Sequence, residues 1–254
     1  MDNPIRLHWL DPRNPDEAFP PAGSAMRDPN GLLAIGGDLS IPRLLRAYSN
    51  GIFPWYNPDE PILWWSPDPR AILVPSSMKV SRSLSKSIRR QDYAVTLDQA
   101  YSRVLAGCSA ARAQSRGTWL GPAMRAAYQD LHRNGFSHTV EVWRGGELVG
   151  GLYGVAIGRA FFGESMFSQA TDASKIALYW LCQQLIVWQY PLIDCQVPSE
   201  HLKTLGAVDV SRQRFLTQLR AATALPGRSG LWRFDIAAPM PRQHLPTSFE
   251  CSNA

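Results

Sequence analysis

The chain has no long apolar segment, and this absence already excludes several classes of protein. No run of about eighteen apolar residues, the length that spans a membrane, occurs in its sequence, so no transmembrane helix is expected. The first residues, Met1 to Arg6, lack the apolar core of a secretory signal. We therefore expect a cytoplasmic protein without a membrane partner.

Cysteine is scarce and scattered. The four cysteines lie far apart without any CxxC spacing, and the five histidines are equally dispersed. A structural zinc site needs closely spaced cysteine and histidine ligands, and a disulfide framework is typical of short, cysteine-rich secreted chains. We predict neither a disulfide framework nor a bound metal.

The rest of the composition is that of an ordinary globular protein, and 254 residues allow one large domain or two of modest size. We predict an α/β fold with a small N-terminal domain at residues 1–69, a mixed α/β domain at residues 70–240 and a flexible tail at residues 241–254. Strands bounded by glycine turns are predicted at 139–144, 147–157 and 160–165. Helices are predicted at 81–90, 99–111, 122–134, 173–187 and 212–222.

Positive charge is concentrated in one predicted helix. The chain carries a net charge of +5, and residues 79–90 contain no acidic side chain. Arg82, Lys86, Arg89 and Arg90 follow the i, i+4, i+7, i+8 spacing of one helical face. Like charges on one face repel each other unless an anion offsets them, and a nucleic-acid backbone is the natural partner. The alternative is a helix face that is simply solvated.

Residues 51–70 form a segment that we call the aromatic ribbon. It holds three tryptophans and five prolines in twenty residues. Proline fixes its own φ and lacks a backbone donor, so the segment is neither a helix interior nor a central strand. Large rings on a stiff backbone suit the binding of a flat or apolar group. Alternatively, these rings only seal a joint between domains.

The segment Phe161–Phe167 combines aromatic residues with one acid. In a regular strand, Phe162, Glu164 and Met166 would share one face. A carboxylate among apolar neighbours is costly without a cationic partner, and Gly163 would let a ligand approach the backbone. The pattern indicates an apolar pocket with a carboxylate for an ammonium or guanidinium group. A solvated Glu164 on an edge strand is the alternative.

A second strand, residues 192–197, carries two polar side chains. Asp194 and Gln196 would point to the same side of this strand, and both need hydrogen-bonding partners. We expect them to act as a pair in catalysis, although Asp194 could instead tie down a neighbouring loop. Cys195 would face away from Asp194, and no histidine is placed in sequence to activate it, so thiol catalysis is not expected.

Seven segments are long or unusual enough in composition to compare with known families. They are NGLLAIGGDLS (30–40), GIFPWYNPDEPILWWSPDPRAIL (51–73), SRSLSKSIRR (81–90), GTWL (117–120), HTVEVWRGGELVGGLYGV (138–155), FFGESMFSQATDASKIAL (161–178) and LIDCQV (192–197). With them the chain resembles the leucyl/phenylalanyl-tRNA–protein transferases over residues 18–235. The resemblance implies a small N-terminal domain plus a C-terminal GNAT-like (acyl-CoA N-acyltransferase) domain with a mixed, largely antiparallel sheet.

The resemblance also implies an activity. Such enzymes move leucine or phenylalanine, and methionine less well, from aminoacyl-tRNA to the N-terminal arginine or lysine of a protein, which marks the product for degradation through the bacterial N-degron route. No cofactor is implied, and we expect a monomer. Two alternatives stay open: an acetyl-CoA-dependent acetyltransferase on the same fold, and an RNA-binding module without catalysis.

The roles of individual residues are carried over by motif. The resemblance implies that Trp55 and Trp119 flank the terminal adenosine and the aminoacyl group. The residues implied to shape the apolar pocket are Phe161, Gly163, Glu164, Met166, Leu178 and Ile193. Asp194 and Gln196 would be the catalytic pair. Those implied to hold the tRNA backbone are Arg82, Lys86, Arg89 and Arg90. Glu164 is also a candidate for selecting the cationic acceptor residue.

Overall fold

A computed structural model describes residues 7–113 and 120–240. The strands are β1 (His8–Leu10), β2 (Leu32–Gly36), β3 (Phe53–Pro54), β4 (Leu63–Trp65), β5 (Arg70–Leu73), β6 (Ala94–Leu97), β7 (Ser137–Arg144), β8 (Glu147–Ile157), β9 (Ala160–Ser168), β10 (Leu192–Gln196) and β11 (Val208–Val210). The helices are α1 (Ile41–Ser49), α2 (Arg82–Arg90), α3 (Tyr101–Ala113), α4 (Pro122–Arg133), α5 (Ala173–Val187), α6 (Glu200–Thr204) and α7 (Arg212–Thr223).

The aromatic ribbon contributes β3 and β4 to a small four-stranded sheet in the order β1-β2-β4-β3. The prediction that the ribbon holds no central strand is wrong, because the three residues of β4 contain no proline and pair on both sides. Pro54 lies in the edge strand β3, where a missing backbone donor is tolerated. Trp64 is completely buried and its ring nitrogen donates to the carbonyl oxygen of Gly36 over 2.9 Å. Trp55 is 46% exposed. Trp64 therefore belongs to the interior, whereas the ring of Trp55 can contact a ligand.

A seven-stranded sheet forms the larger part of the fold, in the order β11-β5-β10-β9-β8-β7-β6. Neighbouring strands are antiparallel except β9 and β10, which run parallel and are joined through α5. The predicted α/β class, with a mixed, largely antiparallel sheet, is confirmed.

Local signals set most helix boundaries. α2 begins at Arg82, one residue after the predicted start, because the side chain of Ser81 caps the helix by accepting a hydrogen bond from the backbone N–H of Leu84. α3 starts two residues later than the predicted 99–111. Asp98 has a left-handed backbone (φ 55°) and accepts the N–H of Thr139, so the chain turns there before the helix begins. The contact between Asp98 and Thr139 of β7 thus moved the start of α3 from the position that composition alone predicted.

Apolar side chains pack on both faces of the larger sheet. One layer, with α3 and α4, contains Tyr128 and Phe162. The other, with α2 and α5, contains Phe161 and Leu181. Adjacent residues of β9 thus reach opposite layers, as a strand requires.

The domain boundaries stay predictions. All strands of the small sheet come from residues 8–65 and all strands of the larger sheet from residues 70–210, yet one apolar core contacts both. The tail at 241–254 lies outside the described residues. No helix of the described part of the chain is both long and apolar enough to span a membrane.

Candidate active site

A cavity of about 520 Å³ opens where β9 and β10 separate. The two strands pair in parallel as far as Asp194 opposite Phe162. Past that point the cavity enters the gap and is lined by members of both apolar layers, including Phe161 from one side and Tyr153 from the other. A gap between parallel strands exposes backbone and side chains that a continuous sheet would cover.

Each of the two strands contains one extra residue at this gap. Ser165 pairs with Tyr153, but Gly163 pairs with the next residue, Gly154, so Glu164 is the bulged residue of β9. Asp194 pairs with Ile72 and Gln196 with Ala71, so Cys195 is the bulged residue of β10. Bulges re-aim side chains, and they are common beside active sites.

The bulge in β9 corrects the predicted alternation of that strand. Phe162, Glu164 and Met166 do not share one face. Met166 lies opposite Leu152 and packs in the same layer as Phe161, whereas Glu164 turns toward tyrosines of the other layer. The extra residue shifts the register by one, so every side chain after it changes sides.

The cavity wall is apolar and contains most of the predicted pocket residues. Those found in the lining are Trp55, Phe161, Gly163, Glu164, Met166, Leu178, Ile193 and Gln196. Trp119 lies outside the described residues. Leu152 and Leu181 line the cavity as well. Helix α5 supplies Leu178 and Leu181, so one face of this helix forms part of the apolar wall of the cavity.

Gly163 leaves space at the cavity wall. A Cβ built there would meet only the backbone oxygen of Asp194 and a methyl carbon of Ile193, both at 3.7 Å, which is ordinary contact. Neither the packing of the chain nor a left-handed backbone requires glycine at this position. Gly154 is different, because a Cβ there would come within 2.2 Å of the oxygen of Phe162. The open volume beside Gly163 is consistent with close approach of a ligand to the backbone.

Glu164 is held by two buried tyrosines that sequence reasoning missed. The hydroxyl of Tyr48 donates to Oε1 over 2.8 Å, and that of Tyr128 donates to Oε2 over 2.7 Å. The two hydroxyls are 2.8 Å apart. Burial raises the pKa of both phenols well above the ordinary value, and the charge of Glu164 raises it further. Both tyrosines therefore stay protonated and act as donors.

Gln196 completes the polar edge of the cavity. Its backbone is left-handed (φ 57°), and its N–H donates to Oδ1 of Asp194 over 3.0 Å. Its side-chain nitrogen lies 3.4 Å from Oε1 of Glu164. Glu164 lies on β9 and Gln196 on β10, and the bulges in these two strands bring their side chains together.

Asp194 does not have the geometry that the sequence pattern predicted. It is completely buried and is absent from the cavity lining. Both carboxylate oxygens accept from the guanidinium of Arg70, over 2.8 and 2.6 Å. Arg70 also donates to the carbonyl oxygen of Gly51 over 3.0 Å. The prediction that Asp194 and Gln196 share a face is wrong, because the bulge at Cys195 shifts the register and turns them to opposite faces of the strand. Asp194 instead binds Arg70, which in turn binds Gly51 at the start of the aromatic ribbon.

Cys195 lines the cavity, but its thiol is unsuited to nucleophilic chemistry. Burial raises its pKa, and the negative charge of Asp194 raises it further. Among residues 7–113 and 120–240, no cluster of three or more histidine, cysteine or acidic side chains could hold a metal ion.

The basic face of α2 is exposed. Arg82, Lys86, Arg89 and Arg90 all face solvent, while Leu84 anchors the helix in the layer of α5. The guanidinium of Arg90 lies 3.5 Å from Asp92, an acid just past the predicted basic stretch. The exposure allows contact with an external anion.

The start of α5 bears on the acetyl-CoA alternative. Asp172 stands at the helix N-cap, where its carboxylate accepts from Lys175 over 3.0 Å and from Ser87 over 2.9 Å. Burial opposes its charge, but these hydrogen bonds outweigh burial and lower its pKa. The carboxylate makes no hydrogen bond to the N–H groups at the helix start, but its negative charge beside that N-terminus disfavours a phosphate group there.

Comparison with protein families decides between the alternatives. The model of the leucyl/phenylalanyl-tRNA protein transferase matches residues 72–220, and that of its N-terminal domain matches residues 37–68. The chain belongs to the leucyl/phenylalanyl-tRNA protein transferase family. The resemblance inferred from the seven segments is thus confirmed, and the chain is an enzyme of this family.

Individual relatives agree with this assignment. The leucyl/phenylalanyl-tRNA–protein transferase of Alkalilimnicola ehrlichii is 56% identical over 231 residues, covering 91% of this chain and 90% of its own length. That of Nitrosomonas europaea is 55% identical, covering 88% and 95%. Among solved structures, L-PGS from Bacillus licheniformis is 15% identical with a TM-score of 0.41, covering 63% of this chain and 65% of that one. That last likeness is too weak to bear on the function.

Proposed function

We propose that this transferase moves leucine or phenylalanine, and methionine less well, from aminoacyl-tRNA to the N-terminal arginine or lysine of a protein. The product would be marked for degradation by the N-degron route, and the enzyme would act as a cytoplasmic monomer. The observation that carries the proposal is the apolar cavity with Glu164 and Gln196 at its polar edge. The family names support an aminoacyl-tRNA donor and a protein acceptor.

The cavity suits the side chain of the transferred amino acid. Phe161, Met166 and Ile193 surround it with apolar surface, and Leu178 and Leu181 close the side formed by α5. A phenyl ring or a γ-branched or unbranched chain buries its surface there, whereas branching at Cβ crowds the walls. Discrimination by single methyl groups in an apolar pocket is worth only about 1–3 kcal/mol, so some transfer of related amino acids is expected.

The reaction needs positioning more than activation. The aminoacyl ester is already activated, and alignment of an amine with a carbonyl supplies a large effective molarity. The attacking α-amine has an ordinary pKa of about 8, so about one tenth of it is uncharged at pH 7. Only modest assistance with proton removal is required.

Gln196 is well placed to orient the acceptor. Because its side-chain nitrogen faces Glu164, its side-chain oxygen is left to accept a hydrogen bond from the incoming amine. An amide oxygen is too weakly basic to take the proton. We assign Asp194 a positioning role, since it holds the backbone N–H of Gln196 while Arg70 engages both of its oxygens.

The tRNA would contact two surfaces. The exposed ring of Trp55 at the cavity suits stacking on the terminal adenosine, and the resemblance assigns Trp119 to the same end of the tRNA. The basic face of α2 would bind the phosphate backbone, with each contact releasing a counterion.

A single transfer assay tests the proposal against its alternatives. The protein is incubated with Phe-tRNA and a peptide that begins with arginine, and the peptide is weighed by mass spectrometry. The expected result is a gain of one phenylalanine, absent with a peptide that begins with glutamate. Parallel samples contain acetyl-CoA in place of Phe-tRNA. Acetylation without phenylalanine transfer would favour the acetyltransferase, and binding of tRNA without any transfer would favour an RNA-binding module.

A further inference from the structure

The carboxylate of Glu164 and the hydroxyls of Tyr48 and Tyr128 form a ring of three short contacts. Tyr48 contacts Oε1, Tyr128 contacts Oε2, and the two phenols contact each other, at 2.8, 2.7 and 2.8 Å respectively. Each contact at such a distance is a hydrogen bond that needs one proton. The ring therefore requires three protons for its three contacts.

The phenols can supply only two of these protons. Each phenol carries one, and burial together with the charge of Glu164 prevents either from ionising. With Glu164 ionised, one of the three contacts has no proton. With Glu164 protonated, all three protons are present, so each of the three groups donates one hydrogen bond to its neighbour and accepts one from the other. The arrangement is thus completed by the arrival of a proton on Glu164.

The carboxylate also lies where such a proton is released. Glu164 lines the cavity, and its Oε1 is 3.4 Å from the side-chain nitrogen of Gln196, which orients the acceptor amine in the proposed function. Asp194 is unsuited to the task because it does not line the cavity and both its oxygens accept from Arg70.

We propose that Glu164 is the proton acceptor of the transfer reaction, with Tyr48 and Tyr128 completing the ring that stabilises the proton; the inference rests on the proposed function. The α-ammonium of the acceptor gives one proton to Glu164, and the neutral amine attacks the ester carbonyl. The new C–N bond forms, the bond from the carbonyl carbon to the ribose oxygen breaks, and a second N–H proton passes to that oxygen. Glu164 then returns its proton to water through the cavity.

Several other groups influence this carboxylate. Among residues 7–113 and 120–240, the titratable and charged groups near it include Tyr48 on α1, Tyr101 on α3, Tyr128 on α4, Tyr153 on β8, and the Arg70–Asp194 pair behind the cavity, with Cys195 and His201 in the cavity wall. Burial, followed by nearby negative charge, raises the pKa of all four tyrosines, so none of them competes for the proton.

Glu164→Gln gives a sharp test, because glutamine imitates the protonated carboxyl. The amide oxygen accepts one hydrogen bond of the ring and the amide nitrogen donates another, so the ring is complete. The amide cannot take up a proton. We expect the variant to fold and to bind Phe-tRNA as the native protein does. Its kcat at pH 7 should fall by about tenfold, because only about one tenth of the amine is uncharged there, and should rise about fivefold between pH 7 and pH 8 as more of the amine loses its proton. Tyr179→Phe, a half-buried tyrosine of α5, is the matched control and should transfer normally.

A modified acceptor gives a second and independent readout. A peptide analogue with an aminooxy group in place of the α-amine is already uncharged at neutral pH and needs no proton acceptor. The E164Q variant and the native enzyme should use this analogue at equal rates at pH 7. Tyr128→Phe, which opens the ring, should reduce kcat for the amine and leave the aminooxy analogue unaffected.

The outcomes separate this inference from the proposed function. If native enzyme fails to transfer phenylalanine at all, the proposed function is wrong. If native enzyme transfers but E164Q has native kcat at pH 7, Glu164 does not take the proton. An E164Q variant that stays slow at high pH and with the aminooxy analogue would equally overturn the inference, since the carboxylate would then serve binding alone.

Discussion

The buried pair of Arg70 and Asp194 allows one prediction to be worked out in detail. Both side chains have no solvent exposure, and two hydrogen bonds of 2.8 and 2.6 Å join them. Asp194→Asn keeps the shape of the side chain but leaves the guanidinium buried without its counter-charge. Breaking one partner of such a pair costs about 3–5 kcal/mol of unfolding free energy. We expect a loss of that size in urea unfolding followed by tryptophan fluorescence.

A second substitution should return most of this stability. Arg70→Met in the Asp194→Asn background removes the unpaired charge. The methionine would lie between the rings of Phe53 and Phe215, which are 4.9 and 4.5 Å from the guanidinium carbon in the native protein. The hydrogen bond to Gly51 is lost, at about 1 kcal/mol. Replacing a buried pair by apolar groups is often neutral, so the double variant should fall within about 2 kcal/mol of native stability.

Transfer activity of the double variant distinguishes positioning from proton transfer by Asp194. Asparagine still offers Oδ1 to the N–H of Gln196, so a positioning role predicts substantial phenylalanine transfer once stability is restored. A stable double variant with no transfer would show that the charge of Asp194 is needed in the reaction, and our assignment would be refuted. Asp38→Asn, which breaks the Arg43–Asp38 pair away from the cavity, is the control and should lose stability without losing activity.

Three further predictions concern the tRNA surface and the cavity. Arg82→Glu with Arg89→Glu should weaken Phe-tRNA binding and lower the magnitude of its salt slope by about 1.5. Arg27→Glu, at an exposed arginine in the loop before β2, is the control and should leave the slope unchanged, and an equal slope in all proteins would remove α2 from the interface. Gly163→Ala should fold normally yet slow transfer, and native kinetics would show that no substrate approaches there. Cys195→Ala should transfer normally, and inactivation of native enzyme by iodoacetamide at neutral pH would contradict the raised thiol pKa.

Features fixed by neighbouring residues were predictable from the sequence. Ser81 begins α2, and Gly135, with a left-handed φ of 76°, follows the end of α4. The apolar pocket was predictable too, because Phe161 and Ile193 lie in short segments of unusual composition. These positions were predictable because the determining contacts are a few residues apart, or because the family resemblance supplied the position.

Features that depend on distant contacts were not predictable. Tyr48 and Glu164 are 116 residues apart, and Arg70 and Asp194 are 124 apart. Tyrosines and arginines are common in such a chain, and no spacing distinguishes these from the others. The same limitation produced the error over Asp194, because strict alternation is the only expectation available before the register of the neighbouring strand is known.

The two bulges explain why the cavity has both an apolar and a polar side. Without the extra residue in β9, Met166 would follow Glu164 toward the tyrosines and the apolar wall would lose a member. Without the extra residue in β10, Gln196 would lie with Asp194 on the face opposite Ile193, away from the cavity. One inserted residue in each strand therefore leaves the apolar wall intact and brings Glu164 and Gln196 within 3.4 Å of each other. The chemistry of the site depends on breaks in the regular sheet, at the one place where its parallel strands separate.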